Sequence, residues 1–250
     1  MKKFGLKFSL AISILLLVSS CYQEPNTQQL IDKTIARAGG EAYLGSLIEF
    51  DFRKIHYKGR KNSDGFKMSR LFYDDNSKVY DAMTADEFVR TVNGVKVTLE
   101  DSTINKYRSS INSVFYFALL PFGLNDAAVQ KKYLDQVSIN DKEYYKVEVT
   151  FTQEGGGEDF EDVYIYWINI ETNKIDFFAY SFEVNGGGLR FREAYNERYV
   201  NGIRFVDYIN YKANPEEHQL TELDELYEEG VLEELSRIEL KNIKVVRPKS

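Results

Sequence analysis

The sequence has few of the residues that build disulfides, zinc sites and thiol-based active sites. Among 250 residues there is one cysteine, at position 21, and there are two histidines, His56 and His218. A single cysteine cannot form a disulfide within the chain, and no Cys-x-x-Cys or His-x-x-x-His spacing is present. We therefore expect a fold without disulfides, without a metal site and without a resident cofactor, in which His56 is a structural histidine of a strand.

Several signatures of catalysis and nucleotide binding are also missing. The sequence contains no Gly-x-Ser-x-Gly elbow and no Gly-x-x-x-x-Gly-Lys-Ser/Thr phosphate loop. Its 32 Lys and Arg residues are outnumbered by 39 Asp and Glu, which gives a net charge of -7. An acidic chain is unsuited to nucleic acid, because Lys and Arg contacts to phosphates supply most of that affinity. Proline is scarce, whereas 18 Tyr and 17 Phe favour a folded, β-rich protein.

The first twenty residues have the pattern of an export signal. Three lysines precede an apolar run over residues 8–18, and two serines follow it. The run is shorter than the roughly 20 apolar residues that a bilayer-spanning helix needs. A positive start, a short apolar middle and small residues at the end are typical of a cleaved signal peptide, which we assign to residues 1–20.

Residues 17–21, Leu-Val-Ser-Ser-Cys, resemble the lipobox of bacterial lipoproteins. The resemblance implies cleavage before Cys21, a diacylglycerol on its sulfur, and an acyl chain such as palmitate on the new amino terminus. One chain holds a protein on a membrane only marginally, whereas several chains hold it firmly. The alternative is an ordinary secretory signal followed by a chance cysteine. We expect a lipid-anchored protein of the cell envelope, in the outer membrane of a Gram-negative bacterium.

After the signal, the chain is predicted to form one domain. Residues 21–27 are a short polar tether, and residues 28–250 contain no internal repeat, low-complexity tract or linker that would divide them. A tether of this length would keep the domain close to the membrane that holds Cys21.

Three helices are predicted where apolar residues recur at helical spacing. The first covers 27–38, and the second covers 102–118 and runs into an apolar stretch over 115–124. A third, over 222–235, is weakened by Gly230.

Strands account for most of the remaining chain. Turns such as Asn93-Gly94 and Asn201-Gly202 join neighbouring strands into hairpins. In the last strand the inward-facing residues change phase near Asn242, which predicts a bulge. The predicted strands are 47–58, 66–73, 78–81, 87–92, 95–99, 133–139, 143–152, 161–170, 174–183, 189–200, 203–211 and 234–246.

A meander of about eleven strands tends to curl or close, because strands twist and because free edge strands would otherwise pair with other chains. Residues 163–168 and 177–180 are apolar on both faces of their strands. One face can then line a concave interior while the other lies under a helix. The sequence predicts a mainly β fold with helices (α+β): a curved antiparallel meander or half-barrel with covering or inserted helices. The helices over 27–38 and 102–118 are the expected covers.

Two stretches resemble a known family. They are Asn-Ser-Val-Phe-Tyr-Phe-Ala-Leu-Leu-Pro-Phe over 112–122 and Gly-Gly-Gly-Leu-Arg-Phe-Arg-Glu-Ala-Tyr over 186–195. Both are similar to an uncharacterised lipoprotein family of Bacteroidota. The lipobox, the first helix, the meander and the inserted helix together resemble the LolA/LolB-type lipoprotein-carrier fold. This second resemblance implies an architecture, and its function transfers only weakly.

An apolar ligand site is predicted where the stretch after the second helix meets aromatic residues of the strands. Large half-closed sheets enclose cavities, and apolar walls suit acyl chains. The alternative is that the same side chains fill the interior completely. The candidate ligand-binding residues are Phe115, Phe117, Leu120, Phe122, Phe50, Phe72, Trp167, Phe177 and Phe191.

A polar site is a second candidate, where two triple glycines are predicted to lie at the same rim of the meander. Acidic residues follow the first triple glycine, and arginines follow the second. The plainer interpretation is glycine for unusual backbone angles together with cross-strand ion pairs. The candidate rim residues are Asp159, Glu161, Arg190, Arg192 and Glu193.

We favour a membrane-anchored, non-enzymatic binding or carrier protein for an apolar or lipid-like ligand. One alternative is an enzyme, such as a hydrolase, that works at the glycine-rich rim. Another is a module that docks on a protein partner of the envelope, whose identity the sequence does not indicate. The expected partners are the membrane, through Cys21, and a lipid or apolar small molecule.

Overall fold

The computed structural model describes residues 24–63, 65–154, 160–182 and 187–248. The predicted signal peptide and Cys21 lie outside these residues, as do residues 155–159 of the first triple-glycine segment. The helices are α1 (Thr27–Ala38), α2 (Asp101–Ala118) and α3 (Leu223–Glu228). None of the helices in this described part of the chain has the length and apolar character needed to cross a bilayer.

The described residues form fourteen strands, and all paired strands are antiparallel. The predicted mainly β fold with helices is therefore confirmed. The strands are β1 (Leu47–Phe52), β2 (Ile55–Asn62), β3 (Gly65–Asp74), β4 (Ser77–Met83), β5 (Phe88–Val92), β6 (Val95–Val97), β7 (Val129–Ile139), β8 (Lys142–Phe151), β9 (Val163–Asn169), β10 (Ile175–Phe182), β11 (Gly188–Val200), β12 (Ile203–Ala213), β13 (Glu233–Ile238) and β14 (Leu240–Val246).

The strands are arranged in two curved sheets of seven. The first sheet has the order β14-β1-β2-β3-β4-β5-β6, and the second has the order β13-β12-β11-β10-β9-β8-β7. Strands that follow one another in sequence are neighbours almost throughout, as expected of a meander. The exceptions are β6 and β7, which lie in different sheets, and β14, which pairs with β1 and so returns the end of the chain to its first strand.

The two sheets meet where β13 ends and β14 begins. Asp207 of β12 is buried there and accepts hydrogen bonds from the backbone N–H of Leu240, at 2.9 Å, and from Arg198, at 2.8 Å. Arg198 also donates to the carbonyl oxygen of Leu240. Because these bonds tie β11 and β12 of the second sheet to β14 of the first, they hold the two sheets at one corner.

Fourteen strands are present where twelve ranges were predicted, because two long predicted strands are each divided. Residues 47–58 turn at Arg53, whose φ of 55° reverses the chain between β1 and β2. Residues 234–246 divide at Glu239 into β13 and β14, which belong to different sheets. The predicted bulge is confirmed: Asn242 has a φ of 53°, and the register between β1 and β14 shifts beside it.

Helix α1 packs against one face of the second sheet. Asn26 caps it by accepting a hydrogen bond from the backbone N–H of Gln29, at 3.0 Å. Leu30 and Ile31 are buried, and the helix ends at Gly39. Gly39 has a φ of 136°, and a Cβ there would come within 2.9 Å of the Gly202 carbonyl oxygen. Glycine is thus required where α1 ends against the β11–β12 turn.

Helix α2 lies between the two sheets. Phe115 packs edge-on against Phe50 of the first sheet, with ring centroids 5.4 Å apart. Phe117 stacks on Phe178 of the second sheet at 5.5 Å. The close approach depends on Gly59 of β2, where a Cβ would come within 2.5 Å of the Phe115 ring. The inserted helix predicted from the sequence is therefore present.

The second sheet is buried on both faces, as the two-sided apolar strands predict. On its inner face Tyr166, Ile168 and Phe178 pack with α1 and with the stretch after α2. On its outer face the buried cluster includes Ile165 and Trp167. The outer face is covered by residues 220–232, which contain α3, whereas α1 and α2 both lie on the inner side. Gly230, with a φ of 71°, follows the short α3 and limits the predicted third helix.

Candidate ligand-binding site

A pocket of about 410 Å³ opens between the second half of α2 and the inner faces of the two sheets. Strands β1, β2 and β3 form one wall, and β11, β12, β13 and the start of β14 form the other. Two depressions of about 380 and 450 Å³ are lined only by the first sheet and its connections. The pocket between α2 and both sheets has walls from three layers of the fold and is therefore the stronger candidate for a ligand. Its apolar lining includes Ile55, Val114, Phe117, Val206, Ile238 and Leu240.

Arg192 of β11 contributes a cation to this pocket. Its side chain is 7 % exposed, and its guanidinium lies 4.2 Å from the centre of the Phe117 ring. Nη2 donates to the Tyr180 hydroxyl at 2.9 Å, and Nε donates to Asn210 Oδ1 at a long 3.4 Å. Asn210 is held in turn by a bond from its amide to Ser236 Oγ. Among the described residues, no carboxylate forms an ion pair with Arg192.

Arg70 of β3 lies on the opposite wall and has a counter-ion. Its Nε donates to Asp81 Oδ2 at 2.8 Å, and Nη1 donates to Ser110 Oγ of α2 at 3.0 Å. Asp81 is fully buried and also accepts two bonds from Arg90, at 2.6 and 2.8 Å. These bonds raise the pKa of Arg90. One carboxylate thus serves two guanidinium groups, and the group of three keeps a net positive charge.

Two phenols face the pocket and remain protonated at neutral pH. Burial raises the pKa of Tyr208 to about 12, although the nearby Arg204 and Arg192 work in the opposite direction. Burial also raises the pKa of Tyr57, and Arg70 partly offsets this shift. Neither phenol therefore supplies a negative charge to balance the arginines.

The charge of the pocket is opposite to that of the chain. Its lining includes three arginines, Arg53, Arg70 and Arg192, and no aspartate, glutamate or histidine among the described residues. The polar remainder is hydroxyl and amide groups, from Ser113, Asn210 and others. In a protein of net charge -7, this is a cationic and partly apolar hollow. Within the described residues, no three side chains of the metal-binding types gather anywhere.

The predicted apolar residues separate into three groups. Phe117 lines the pocket, and Phe72 lies nearby, 5.7 Å below the guanidinium of Arg70. The second group surrounds Phe115, on which Phe50 packs in the core between α2 and the first sheet. A smaller cavity of about 110 Å³ on the other side of α2 is lined by Phe115, Leu120 and Phe122.

The third group lies away from both cavities. Trp167, Phe177 and Phe191 belong to the outer cluster of the second sheet, where rings of Phe177 and Phe191 stack at 5.6 Å. Alternation along β9, β10 and β11 explains this position, because residues of one face cannot share a cavity with residues of the other. The structure does not bring these three residues together with Phe117.

The predicted polar rim residues are also separated. Asp159 lies outside the described residues, and Glu161 is exposed. Arg190 stacks on Phe182 at 4.8 Å, and Glu193 accepts a hydrogen bond from the Tyr211 hydroxyl on the outer face. Arg192 points into the pocket. In the ranges that the structure describes, no ion pair joins either arginine to an acidic rim residue.

Sequence reasoning missed the polar residues of the pocket apart from Arg192. Arg70 lies two residues from Met68 and from Phe72 and so shares the inner face of β3 with them. Asn210 shares the inner face of β12 with Tyr208 in the same way. A charged or amide side chain at an inward position of an apolar strand is a usable signal, because burying such a group is costly without a partner. The signal shows that these residues are buried but not that they meet.

Comparisons with known proteins identify a family and several similar structures. The family model described as "Family of unknown function (DUF6503)" matches residues 7–240. No curated protein matches the chain. A DUF1329 family protein from Desulfovibrio piger has 8% identity and a TM-score of 0.48, and the match covers 87% of this chain and 92% of that chain.

Two further solved structures are similar. A LolA superfamily protein from Nitrosomonas europaea has 13% identity and a TM-score of 0.44, with 76% of this chain and 86% of that chain covered. A proposed outer membrane lipoprotein-sorting protein domain from Vibrio parahaemolyticus has 9% identity and a TM-score of 0.41, with 74% and 85% covered. With TM-scores below 0.5, these similarities carry no argument about function. The expected Bacteroidota origin stays a prediction.

Proposed function

The chain belongs to the DUF6503 family, whose function is unknown, and we propose that it is a lipid-anchored, non-enzymatic binding or carrier protein for a lipid-like ligand. The observation that carries the proposal is the pocket of about 410 Å³ between α2 and the two sheets. The side chains of the described residues leave this space unfilled, although α2 is inserted deeply enough to bury Phe115 and Ile111.

The size of the pocket favours a single acyl chain. Small-molecule pockets typically measure about 300–1,000 Å³, so this one lies near the lower end of the range. If a water-sized group occupies about 30 Å³, the pocket has room for roughly 14 such groups. That space suits one acyl chain of moderate length.

The lining favours binding over catalysis. General acid–base catalysis near neutral pH most often uses histidine or a carboxylate, and the described lining of this pocket includes neither. Its hydroxyl groups come from serines without an adjacent base and from Tyr57 and Tyr208, and burial raises the pKa of both phenols. Groups of this kind orient a ligand rather than transform it. The enzyme proposed for the glycine-rich rim gains no supporting contact from the described residues.

The predicted anchor would hold this binding site next to a membrane. If Cys21 is acylated, the short tether over 21–27 keeps the domain within a few nanometres of the membrane surface. A pocket for a single-chain lipid would then lie close to the source of such lipids. The outer membrane is the location that we propose for the anchor.

Native mass spectrometry of the Cys21→Ala variant tests the proposal. We expect a bound small amphiphile that organic solvent extracts. Ser113 lines the pocket from α2, so Ser113→Phe should fill the space and abolish the retained ligand. Ser102→Phe, at an exposed position of the same helix, is the matched control and should retain it. If the protein carries no lipid and takes none up from vesicles, the proposed function is wrong.

A further inference from the structure

The pocket combines an apolar wall with cations that lack enough counter-ions. Burying a charge is costly unless another group pairs with it, and proteins usually bury arginine beside a carboxylate. Arg70 satisfies this expectation through Asp81, whereas Arg192 has no carboxylate partner among the described residues. The buried arginine of the pocket that has no carboxylate partner among the described residues is therefore Arg192, on the second-sheet wall.

Part of the Arg192 guanidinium is available to a ligand. Nε and Nη2 donate to Asn210 and Tyr180, whereas Nη1 donates to no described residue. Across the described chain, no polar side-chain atom is buried without a hydrogen-bond partner. Nη1 is therefore not completely enclosed by the described residues, and Arg192 is one of the lining residues of the pocket. The N–H groups of Nη1 can therefore donate to an oxygen of a carboxylate or phosphate, a charge-assisted hydrogen bond that is stronger than a neutral one.

The surroundings hold this guanidinium in place. The ring of Phe117 lies 4.2 Å below it, and those of Tyr180 and Phe178 lie 5.1 and 5.3 Å away. Asn210 is itself fixed by Ser236. A cation positioned before the ligand arrives loses little side-chain entropy on binding, which favours affinity.

We propose that the ligand is an anionic amphiphile with one acyl chain, whose carboxylate or phosphate headgroup binds Arg192 while its chain lies along Phe117, Val206 and Ile238. The proposal rests on the proposed function and adds the charge of the ligand to it. Arg70, with the net positive group around Asp81, supports the same sign of charge from the opposite wall. The acidic surface of the chain, with its net charge of -7, would not attract such a ligand. Selectivity for the anion must therefore come from the pocket.

Direct binding measurements with matched probes test this inference in the Cys21→Ala protein. The probes are dodecanoate, dodecyl phosphate and dodecanol, each below its micelle concentration, together with acetate and inorganic phosphate. We expect dodecanoate or dodecyl phosphate to bind at least tenfold more tightly than dodecanol, and we expect no measurable binding of acetate or phosphate. The stronger of the two long-chain anions identifies the headgroup.

Variants of two arginines on the same strand assign the effect. Arg192→Met should reduce the affinity for the preferred anion about tenfold and change the affinity for dodecanol less than twofold. Arg190→Met is the matched control, because Arg190 stacks on Phe182 and does not line the pocket. Arg192→Lys keeps the charge without the planar fork and should give an intermediate loss. It also provides a folded variant if Arg192→Met does not accumulate.

Each contrary result has a distinct meaning. Equal binding of dodecanol and both anions would overturn this inference and leave the proposed function standing. Inorganic phosphate that competes as well as dodecyl phosphate would show a site for a free oxyanion and would also overturn it. An equal loss of anion affinity in Arg190→Met would remove Arg192 from its assigned role. Failure of every long-chain probe to bind would contradict the proposed function itself.

Discussion

Two buried cations on opposite faces of the second sheet have different hydrogen-bond partners. Lys146 of β8, 6 % exposed, lies on the outer face, and Arg192 of β11, 7 % exposed, lies on the inner face. Lys146 donates to Asp224 of α3 at 2.7 Å, and Trp167 donates to the same carboxylate at 3.1 Å. Arg192 is held by neutral oxygens alone among the described residues.

The difference separates a structural charge from one that is available to a ligand. On the outer face, the segment over 220–232 brings a carboxylate to the lysine and closes over it. On the inner face, α2 brings Phe117 to the arginine and leaves a pocket beside it. Similar burial therefore has different consequences, because one face has acquired a counter-ion and the other has not.

Removal of the outer counter-ion should have the largest effect. In Asp224→Ala, the buried Lys146 loses its partner, and we expect the free energy of unfolding to fall by about 3–5 kcal/mol. Urea unfolding followed by circular dichroism measures this change. Lys212→Met, which breaks the exposed pair with Glu233, is the control and should cost less than about 1 kcal/mol. A loss in Asp224→Ala as small as that of the control would refute the structural role of the pair.

The second prediction concerns Trp167, which donates to the same Asp224 carboxylate as Lys146. Trp167→Phe removes the N–H that donates to Asp224, and we expect a loss of about 2 kcal/mol, as for a hydrogen bond to a charged group. In the Asp224→Ala background the same substitution should cost distinctly less, because its acceptor is already absent. Unfolding of all four proteins forms a double-mutant cycle. Strictly additive losses would mean that the indole contributes by packing alone.

On the inner face we expect almost no loss of stability. Arg192→Met removes an unneutralised buried cation together with two hydrogen bonds, and these contributions oppose each other, so unfolding should change by less than about 1 kcal/mol. Ligand retention should nevertheless fall. Thermal unfolding and native mass spectrometry of the same preparation separate the two effects. A loss comparable to that of Asp224→Ala would show that Arg192 is structural.

The smallest effect is expected at the exposed surface of the first sheet. Asp51 accepts hydrogen bonds from Asn242, at 2.6 Å, and from His56, at 2.7 Å. The bond from Asn242, followed by that from His56, lowers the pKa of Asp51 against the opposing effect of burial. A lowered pKa stabilises the folded state above the unfolded-state pKa, and this contribution is lost as the pH falls through the folded-state pKa.

Asp51→Asn should therefore be less stable than the parent protein at pH 7, by about 0.5 kcal/mol, which is typical of a surface pair. The two proteins should become equally stable well below pH 4, where the carboxylate is protonated. Urea midpoints measured across the acid range provide the test. A difference that persists at the lowest pH would point to the amide's shape rather than to the charge.

The sequence predicts the local elements of this fold well where the signals are short in range. The Asn93-Gly94 and Asn201-Gly202 turns have positive φ angles at all four residues. Helix α1 begins after its cap, Asn26, and ends at Gly39, as predicted. The predicted bulge at Asn242 is also present. Arg53 lacks such a signal, because an arginine with a φ of 55° is uncommon, and the turn between β1 and β2 was not predicted for that reason.

The candidate site was less predictable because its residues are distant in sequence. Phe117 and Arg192 both carry a signal of their own, but nothing along the chain indicates that one lies 4.2 Å from the other. Trp167, Phe177 and Phe191 have the same aromatic character as Phe117 and lie on the other face. Alternation assigns residues to faces, but it does not say which face encloses a cavity.

By itself, the sequence determined the strands, their turns, the two-sided apolar character of β9 and the inserted helix, because these depend on neighbours within a few residues. Only the tertiary structure decided which buried cation acquires a carboxylate. Lys146 and Asp224 are 78 positions apart and meet because α3 folds over the outer face. Arg192 stays without such a partner because α2, lying opposite it, presents phenylalanine and serine. Pairing of charges across a sheet depends on how the layers are stacked, and this information is absent from any local stretch of the chain.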